Sequence, residues 1–392
     1  MAKKFIGVGT LRISNKQKKY VNEVLDSNRL SYGPFTRKFE NKFASLHGCK
    51  FGIMSNSGTS ALHIALAALK EIYDWKDNDE IIVPAVTFVA TSNIVLHNNM
   101  KPVFVDVESD FYGIDPKLIE EKITNKTKAI IPVHLFGLPC DMDPIKKIAD
   151  KYGLKIIEDS AETMFAGYKG KMTGSIGDIG CFSTYVAHLI ITGVGGLNIT
   201  NNKDYAIKLR SLANHGRDSI YISIDDAKDK REEEMKEIIS RRFKFVSLGH
   251  SFRVTEMEAA LGLAQLDTWK DMIKNRRDHA SYLIEGLSKF DDKIQLPKIR
   301  NECEHSFMMF PLVLRDSNKE KLVNHLEKEG IETRDMLPLI NQPIYKKMFD
   351  INVKDYPIAD WINNNGFYIG CHQDLKKEDL DYVISFFEKY FE

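Results

Sequence analysis

Three short runs of this chain hold side chains that bind anions, carry a buried charge or move protons. The first, Ser55-Asn56-Ser57-Gly58-Thr59-Ser60-Ala61-Leu62, follows a β-rich run and opens a helical one. Free backbone N–H groups at a helix start, joined by small hydroxyls, make a cup for a phosphate. The same residues would also serve as an ordinary helix cap, through Ser57 or Thr59. The second run, Ile156-Ile157-Glu158-Asp159-Ser160-Ala161-Glu162, puts an acidic pair at the carboxyl end of an apolar strand, where open α/β sheets bind their ligands. A carboxylate buried there needs a partner. A protonated pyridine nitrogen would be one, and Asp159 would hold its proton in place. A strand-end aspartate also caps helices or fixes loops. The third run, Cys181 to Gly196, contains Ser183 as a further hydroxyl for a phosphate, glycines that permit close backbone approach, and His188. His188 is the side chain in this run that exchanges a proton near neutral pH, though a lone histidine equally serves as a structural residue.

These runs depend on the elements around them. Short β-rich segments alternate with helical ones through the first two-thirds of the chain, a pattern that predicts an α/β fold with a largely parallel sheet. Seven strands are expected, at Phe51 to Met54, Glu80 to Val83, Pro102 to Asp106, Ala129 to His134, Lys155 to Glu158, Gly180 to Tyr185 and Gly195 to Thr200. Helices are expected at Thr59 to Leu69, Thr91 to Asn98, Pro144 to Lys151 and Tyr205 to Asn214. Asp225 to Arg242 is dense in charge without a full apolar stripe, as in a solvated helix or a mobile excursion. A long amphipathic helix, Thr255 to Leu287, leads into a smaller α+β part with a strand at Phe307 to Val313, a helix at Lys319 to Glu329, a strand around Glu332 and a closing helix at Lys377 to Tyr390. The expected division is a large α/β domain over residues 1–260 and a small one over 261–392.

Composition narrows the function. At 392 residues the chain is long enough to bury a sizeable core. Its 55 basic and 55 acidic residues balance, so overall charge suggests no nucleic-acid or membrane partner. No run approaches the roughly 18 apolar residues of a membrane span or forms a secretory signal, so a cytoplasmic location is expected. Five cysteines, at 49, 140, 181, 303 and 371, show no CxxC spacing and suggest reduced thiols rather than a zinc site; no metal is expected. Neither a Walker A sequence nor a GxGxxG fingerprint is present, which counts against an ATPase or dinucleotide enzyme.

With these residues in view, nearly the whole chain resembles the DegT/DnrJ/EryC1/StrS family of pyridoxal-phosphate fold type I enzymes, which modify nucleotide-linked 4-keto-6-deoxysugars such as those of O-antigen and lipopolysaccharide. The ordered matches include SYGPFTRKFE, MSNSGTSALHIAL, VPAVTFVATSNIV, PVHLFGLPCDMDPI, IIEDSAET, LANHGR, FRVTEMEAALGLAQL and GFYIGCHQDL. The resemblance implies that Ser57, Gly58 and Thr59 form the phosphate cup, that Phe88 stacks on the cofactor ring, that Asp159 pairs with the pyridine nitrogen and that Ser183 is a further phosphate contact. It also implies a homodimer with shared active sites, in which the stretch His250 to Arg253 acts on the neighbouring subunit, with His215, Arg217 and Arg253 as substrate contacts. Three positions depart from the usual pattern. Glu162 stands where many family aminotransferases have a glutamine near the ring hydroxyl, Ser251 stands where an asparagine often reaches the partner's phosphate, and His188 replaces the lysine.

The last departure changes the chemistry. An aminotransferase holds pyridoxal phosphate through a lysine amine and moves protons with it, and an imidazole cannot form that bond. His188 can still act as a base, as in the subgroup that uses free pyridoxamine phosphate to dehydrate the sugar at C3, and an imidazole near its ordinary value of 6.5 suits both proton uptake and return. Only Cys303 and Cys371 lie in the C-terminal half, too few for an iron–sulfur cluster. Regeneration of pyridoxamine phosphate from glutamate is therefore expected. The competing readings are a sugar aminotransferase carrying a Lys-to-His change at position 188, and a non-catalytic relative that binds a nucleotide sugar.

Overall fold

The computed structural model describes residues 4–218, 232–241, 243–315 and 318–392. Its larger sheet has seven strands: β1 (Phe51–Ser55), β2 (Glu80–Pro84), β3 (Lys101–Val105), β4 (Thr127–Ile130), β5 (Lys155–Asp159), β6 (Ile179–Ser183) and β7 (Gly196–Thr200). They lie in the order β1-β7-β6-β5-β4-β2-β3. Pairing is parallel from β3 through β6, whereas β7 runs antiparallel to both β6 and β1. The mostly parallel seven-stranded sheet expected from the alternation is thus present. Strands β2 and β6 are buried along their whole length, because helices cover both faces of such a sheet.

The helix Gly58–Ile72 runs beneath β1, β6 and β7, and Ala61, Leu62, Ile64, Ala65, Leu66, Ala68 and Leu69 are all buried in it. Each large aliphatic side chain there contributes about 1.5–3 kcal/mol through removal from water, so the position of this helix start is held firmly. Gly58 has no alternative residue at that start, since a Cβ would lie 2.6 Å from the Cβ of Ser183.

A second, antiparallel sheet takes the strands Ile294–Gln295, Phe310–Leu314, Gly366–Ile369 and Thr333–Asp335 in that order. Its core includes Leu283, Leu287, Phe310, Leu312, Leu326 and Phe387, together with Ile6 from the N-terminal segment, which pairs with Ile331. The single helix expected from Thr255 to Leu287 is in fact two, Glu256–Gln265 and Trp269–Leu287. The break falls at Asp267, whose carboxylate is taken by Lys16 and Lys42 from elsewhere in the chain. Of the charge-rich stretch, Glu232–Arg241 is helical, while residues 225–231 and 242 lie outside the described residues.

Candidate active site

A cavity of about 430 Å³ opens where the carboxyl ends of the parallel strands meet the second sheet. Ser57, Gly58, Thr59, Phe88, Asp159, Glu162, Ser183 and His188 all line it, so eight side chains or backbone positions singled out in the sequence converge on one space. Ser57 caps the helix Gly58–Ile72 by accepting the Ser60 N–H at 3.0 Å. The capping and phosphate-cup readings are therefore compatible, since the cap fixes the helix start at the cavity. Phe88 precedes the helix Val89–His97 and leaves 56% of its surface exposed, its ring facing the cavity.

Asp159 ends β5 and is 4% exposed. Its carboxylate accepts the Thr91 hydroxyl at 2.8 Å and the Ala161 N–H at 3.2 Å. Burial pushes its pKa up, against those hydrogen bonds. Its neighbour Glu158 points to the other face of the strand and is fully buried, accepting N–H groups from Gly174, Ile176 and Gly177 and meeting His134 Nε2 at 3.0 Å. His134 Nδ1 accepts the Cys140 N–H at 3.0 Å, which leaves Nε2–H as its donor to Glu158. Glu158 thus pins loops, and Asp159 is the member of the acidic pair that faces the cavity. Glu162 accepts the Phe136 N–H at 2.9 Å, and burial pushes its pKa up to about 7.

His188 lies in a loop closed at its base by Thr184 and Thr192, whose hydroxyls meet at 2.6 Å, and tied from outside by Gln265, which bonds both the N–H and C=O of Ile191. Burial of Leu189 and Ile190 anchors the loop further. The imidazole Nδ1 is buried with no hydrogen-bond partner, and desolvation lowers the pKa to about 4. The ordinary value near 6.5 expected from sequence does not hold here, because burial disfavours the imidazolium. At neutral pH the ring is an uncharged base.

Ser251, His215, Arg217 and Arg253 do not line this cavity. Asn214 and Ser251 form a β-bridge that brings His215, Ser251 and Arg253 together, with the Arg253 guanidinium 3.3 Å from His215 Nε2 and donating to Ser251 Oγ at 3.1 Å. Arg217 lies over the rings of Phe243 and Phe245. Sequence reasoning missed Thr91, the donor to Asp159, in the first turn of the helix Val89–His97, whose hydroxyl also meets that of Thr87 before the helix at 2.8 Å. It also missed Met308, Met309 and Tyr368, the wall supplied by the second sheet and the segment before it. No local pattern marks that wall.

Among the described residues, no group of three or more His, Cys, Asp or Glu side chains could hold a metal ion, and no helix is long and apolar enough to cross a membrane. The five cysteines are free thiols, with Cys49, Cys140, Cys181 and Cys371 buried.

A model of the DegT/DnrJ/EryC1/StrS aminotransferase family matches residues 11–388. The GDP-perosamine synthase of Caulobacter vibrioides is 33% identical over 385 residues, which cover 97% of this chain and 96% of that one. The GDP-4-keto-6-deoxy-D-mannose 3-dehydratase of Escherichia coli is 30% identical over 376 residues, covering 93% of this chain and 95% of that one. A solved structure of the E. coli dehydratase with bound hydrated PLP aligns with a TM-score of 0.88 at 27% identity, covering 98% of this chain and 100% of the other. A further dehydratase structure, with a trapped PLP-glutamate geminal diamine, aligns with the same TM-score, 0.88, at 27% identity over 97% of this chain and 99% of the other.

Proposed function

The chain belongs to the DegT/DnrJ/EryC1/StrS aminotransferase family, and from that premise we propose that it is a pyridoxamine-phosphate-dependent 3-dehydratase of a nucleotide-linked 4-keto-6-deoxyhexose, with His188 as its base. The cofactor is a vitamin B6 phosphate, pyridoxal or pyridoxamine 5'-phosphate, and the residues present fit it. The helix start at Ser57 to Thr59 suits the phosphate, with Ser183 beside it. Asp159, buried and hydrogen-bonded only to neutral donors, suits a protonated ring nitrogen. Phe88 offers a ring face, and the unpartnered Nδ1 of His188 is a polar atom in need of a partner.

When bound, the cofactor supplies an amine for the C4 ketone of the sugar and a protonated ring that accepts electrons. Asp159 keeps that ring protonated. With the cofactor bound, His188, neutral and poorly solvated, would take up a proton from the carbon that bears the cofactor amine. Because its imidazolium is disfavoured in this setting, His188 returns a proton readily to the C3 hydroxyl, which leaves as water.

The observation that carries this reading is that the cavity is lined by His188 and, among the described residues, by no lysine. Covalent capture of the cofactor therefore has no amine to use. Glutamate as the amino donor draws support from the related dehydratase trapped with a PLP-glutamate species. Similarity to GDP-perosamine synthase favours the second reading, an aminotransferase whose lysine has become histidine.

We also propose a homodimer with shared sites. No Arg or Lys lines the cavity among the described residues, although Asp159 and Glu162 do. Beyond the phosphate held at the helix start, the substrate's own phosphates would draw on cations from elsewhere. Arg253 and Arg217, beside Ser251 and His215, are outside the chain's own cavity, next to an apolar surface on which Phe243 is 76% and Leu248 91% exposed. A second copy would cover that surface and deliver those cations.

Incubation with pyridoxamine phosphate and a panel of nucleotide-linked 4-keto-6-deoxysugars, followed by mass spectrometry, tests the activity. Loss of water supports the dehydratase; gain of nitrogen supports the aminotransferase.

A further inference from the structure

Arg276 is a cation enclosed by the second half of the fold. It lies on the helix Trp269–Leu287 and is 3% exposed. Its hydrogen bonds go to uncharged oxygens: Nε donates to Gln373 Oε1 at 3.0 Å, and Nη1 donates to the carbonyls of Phe307 at 3.1 Å and Met308 at 3.0 Å. Burying a guanidinium costs free energy that neutral acceptors offset only in part. A packed apolar side chain would avoid that cost, so the donor set itself must serve some purpose on the backbone it grips.

That backbone is unusual. Phe307 is buried with φ 45°, in the left-handed region that an aromatic residue rarely adopts. Such a conformation persists where the surroundings over-determine it. Arg276 Nη1 holds both carbonyls at the bend, while His305 Nδ1 accepts the Phe307 N–H at 2.8 Å. Across from the bend lies a second left-handed turn, with Phe136 at φ 57° and Gly137 at φ 105°. Ser306 N–H donates to Gly137 O at 2.9 Å and Met309 N–H to Phe136 O at 3.4 Å. The two backbones are pressed together so closely that a Cβ on Gly137 would lie 2.6 Å from Phe307 N. Both turns lead into the cavity: Met308 and Met309 line it, and the Phe136 N–H holds the Glu162 carboxylate.

We propose that Arg276 is a positioning residue, whose guanidinium fixes the bend at Phe307 and through it both the Met308–Met309 wall and, by way of Phe136, the Glu162 carboxylate. Because the cofactor-facing cup and Asp159 stand on the larger sheet, we assign this wall, which precedes the second sheet, to the sugar, and that assignment rests on the dehydratase reading. The phosphate cup and Asp159 stand on the larger sheet and do not depend on this bend.

The test compares Arg276→Met and Arg276→Lys with Gly137→Ala, which presses on the same bend from the opposite side and leaves the guanidinium in place. In Arg276→Met, KM for the keto-sugar should rise about tenfold or more while kcat stays within about threefold, the pattern of lost ground-state positioning. Pyridoxamine phosphate affinity, read by fluorescence titration, should fall by less than KM rises, because the phosphate cup and Asp159 stay in place while Glu162 shifts. The titration of Glu162, read from the pH dependence of stability against Glu162→Gln, should move. Arg276→Lys keeps the charge with a single donor head and should recover part of the KM, and Gly137→Ala should reproduce the KM effect. Hydrogen exchange at Phe307 and Met309 should accelerate in Arg276→Met while the large-sheet amides stay protected. Unchanged KM, an unchanged Glu162 titration and unchanged exchange at these amides would overturn the proposal, as would cofactor affinity lost in parallel with KM. If Arg276→Met fails to fold, the Lys and Ala variants decide by the same readouts. A wild-type chain that turns over no keto-sugar would sink the dehydratase reading alone, since exchange at Phe307 and Met309 and the titration of Glu162 still report on the clamp.

Discussion

Replacing Glu162 with glutamine removes one titration while keeping an oxygen to accept the Phe136 N–H, which the carboxylate accepts at 2.9 Å. Burial moves this carboxyl from its ordinary value of 4.5 to about 7 in the folded chain. A group whose folded pKa is raised contributes stability that is complete below the unfolded value and is lost as pH rises through the folded one. Relative to the protonated state, the ionisation of Glu162 costs about 0.8 kcal/mol at pH ~5 and about 3.3 kcal/mol at pH ~8. Glutamine does not titrate, so Glu162→Gln should gain about 2.5 kcal/mol over wild type between those two conditions. Glu162 retains some contact with the cavity, and solvent there would screen the effect towards roughly 1 kcal/mol. Urea denaturation of cofactor-free protein at both pH values measures the difference directly. His188, depressed to about 4, loses its contribution as pH falls from 6.5 towards that value in both chains alike, so it cancels from the comparison. Wild type and variant changing in parallel between the two pH values, to within about 0.5 kcal/mol, would refute the claim that burial raises this carboxyl.

The other expectations concern the assembled site. Asp159→Asn should leave the fold intact and reduce turnover to less than a tenth, a barrier increase of at least about 1.4 kcal/mol; a variant faster than that would remove Asp159 from its role. His188→Asn should bind pyridoxamine phosphate normally but lose a factor of roughly 10²–10⁴ in rate. Restoring an amine with His188→Lys should produce a cofactor absorption band that borohydride abolishes, and should slow dehydration. A proficient transaminase in that variant would instead favour the aminotransferase reading. Mixing inactive Asp159→Ala and Arg253→Ala chains should restore some activity if each site draws on two copies, whereas light scattering from a fully active monomer would rule out shared sites.

The residues at the site were legible in sequence to the extent that their chemistry is local. A helix start after a strand, an acidic pair at a strand end and a histidine among glycines mark positions where backbone geometry alone brings a polar group to the rim of an α/β sheet, and Ser57, Asp159 and His188 do line one cavity. Strand alternation also implies that Glu158 and Asp159 face opposite sides, although only the structure shows Glu158 occupied with backbone N–H groups. Sequence could not give the pKa of His188, because its shift comes from desolvation, which depends on how the folded chain packs around the ring. It could not give the break at Asp267, where the carboxylate is taken by lysines some 225 and 251 positions away, nor the Met308–Met309 wall, whose position depends on a bend gripped by Arg276. Residue type and spacing determined which groups could do chemistry here. Tertiary structure decided which of them are dehydrated, which are paired and which face one another, because burial and long-range contacts, which set those properties, have no local signature.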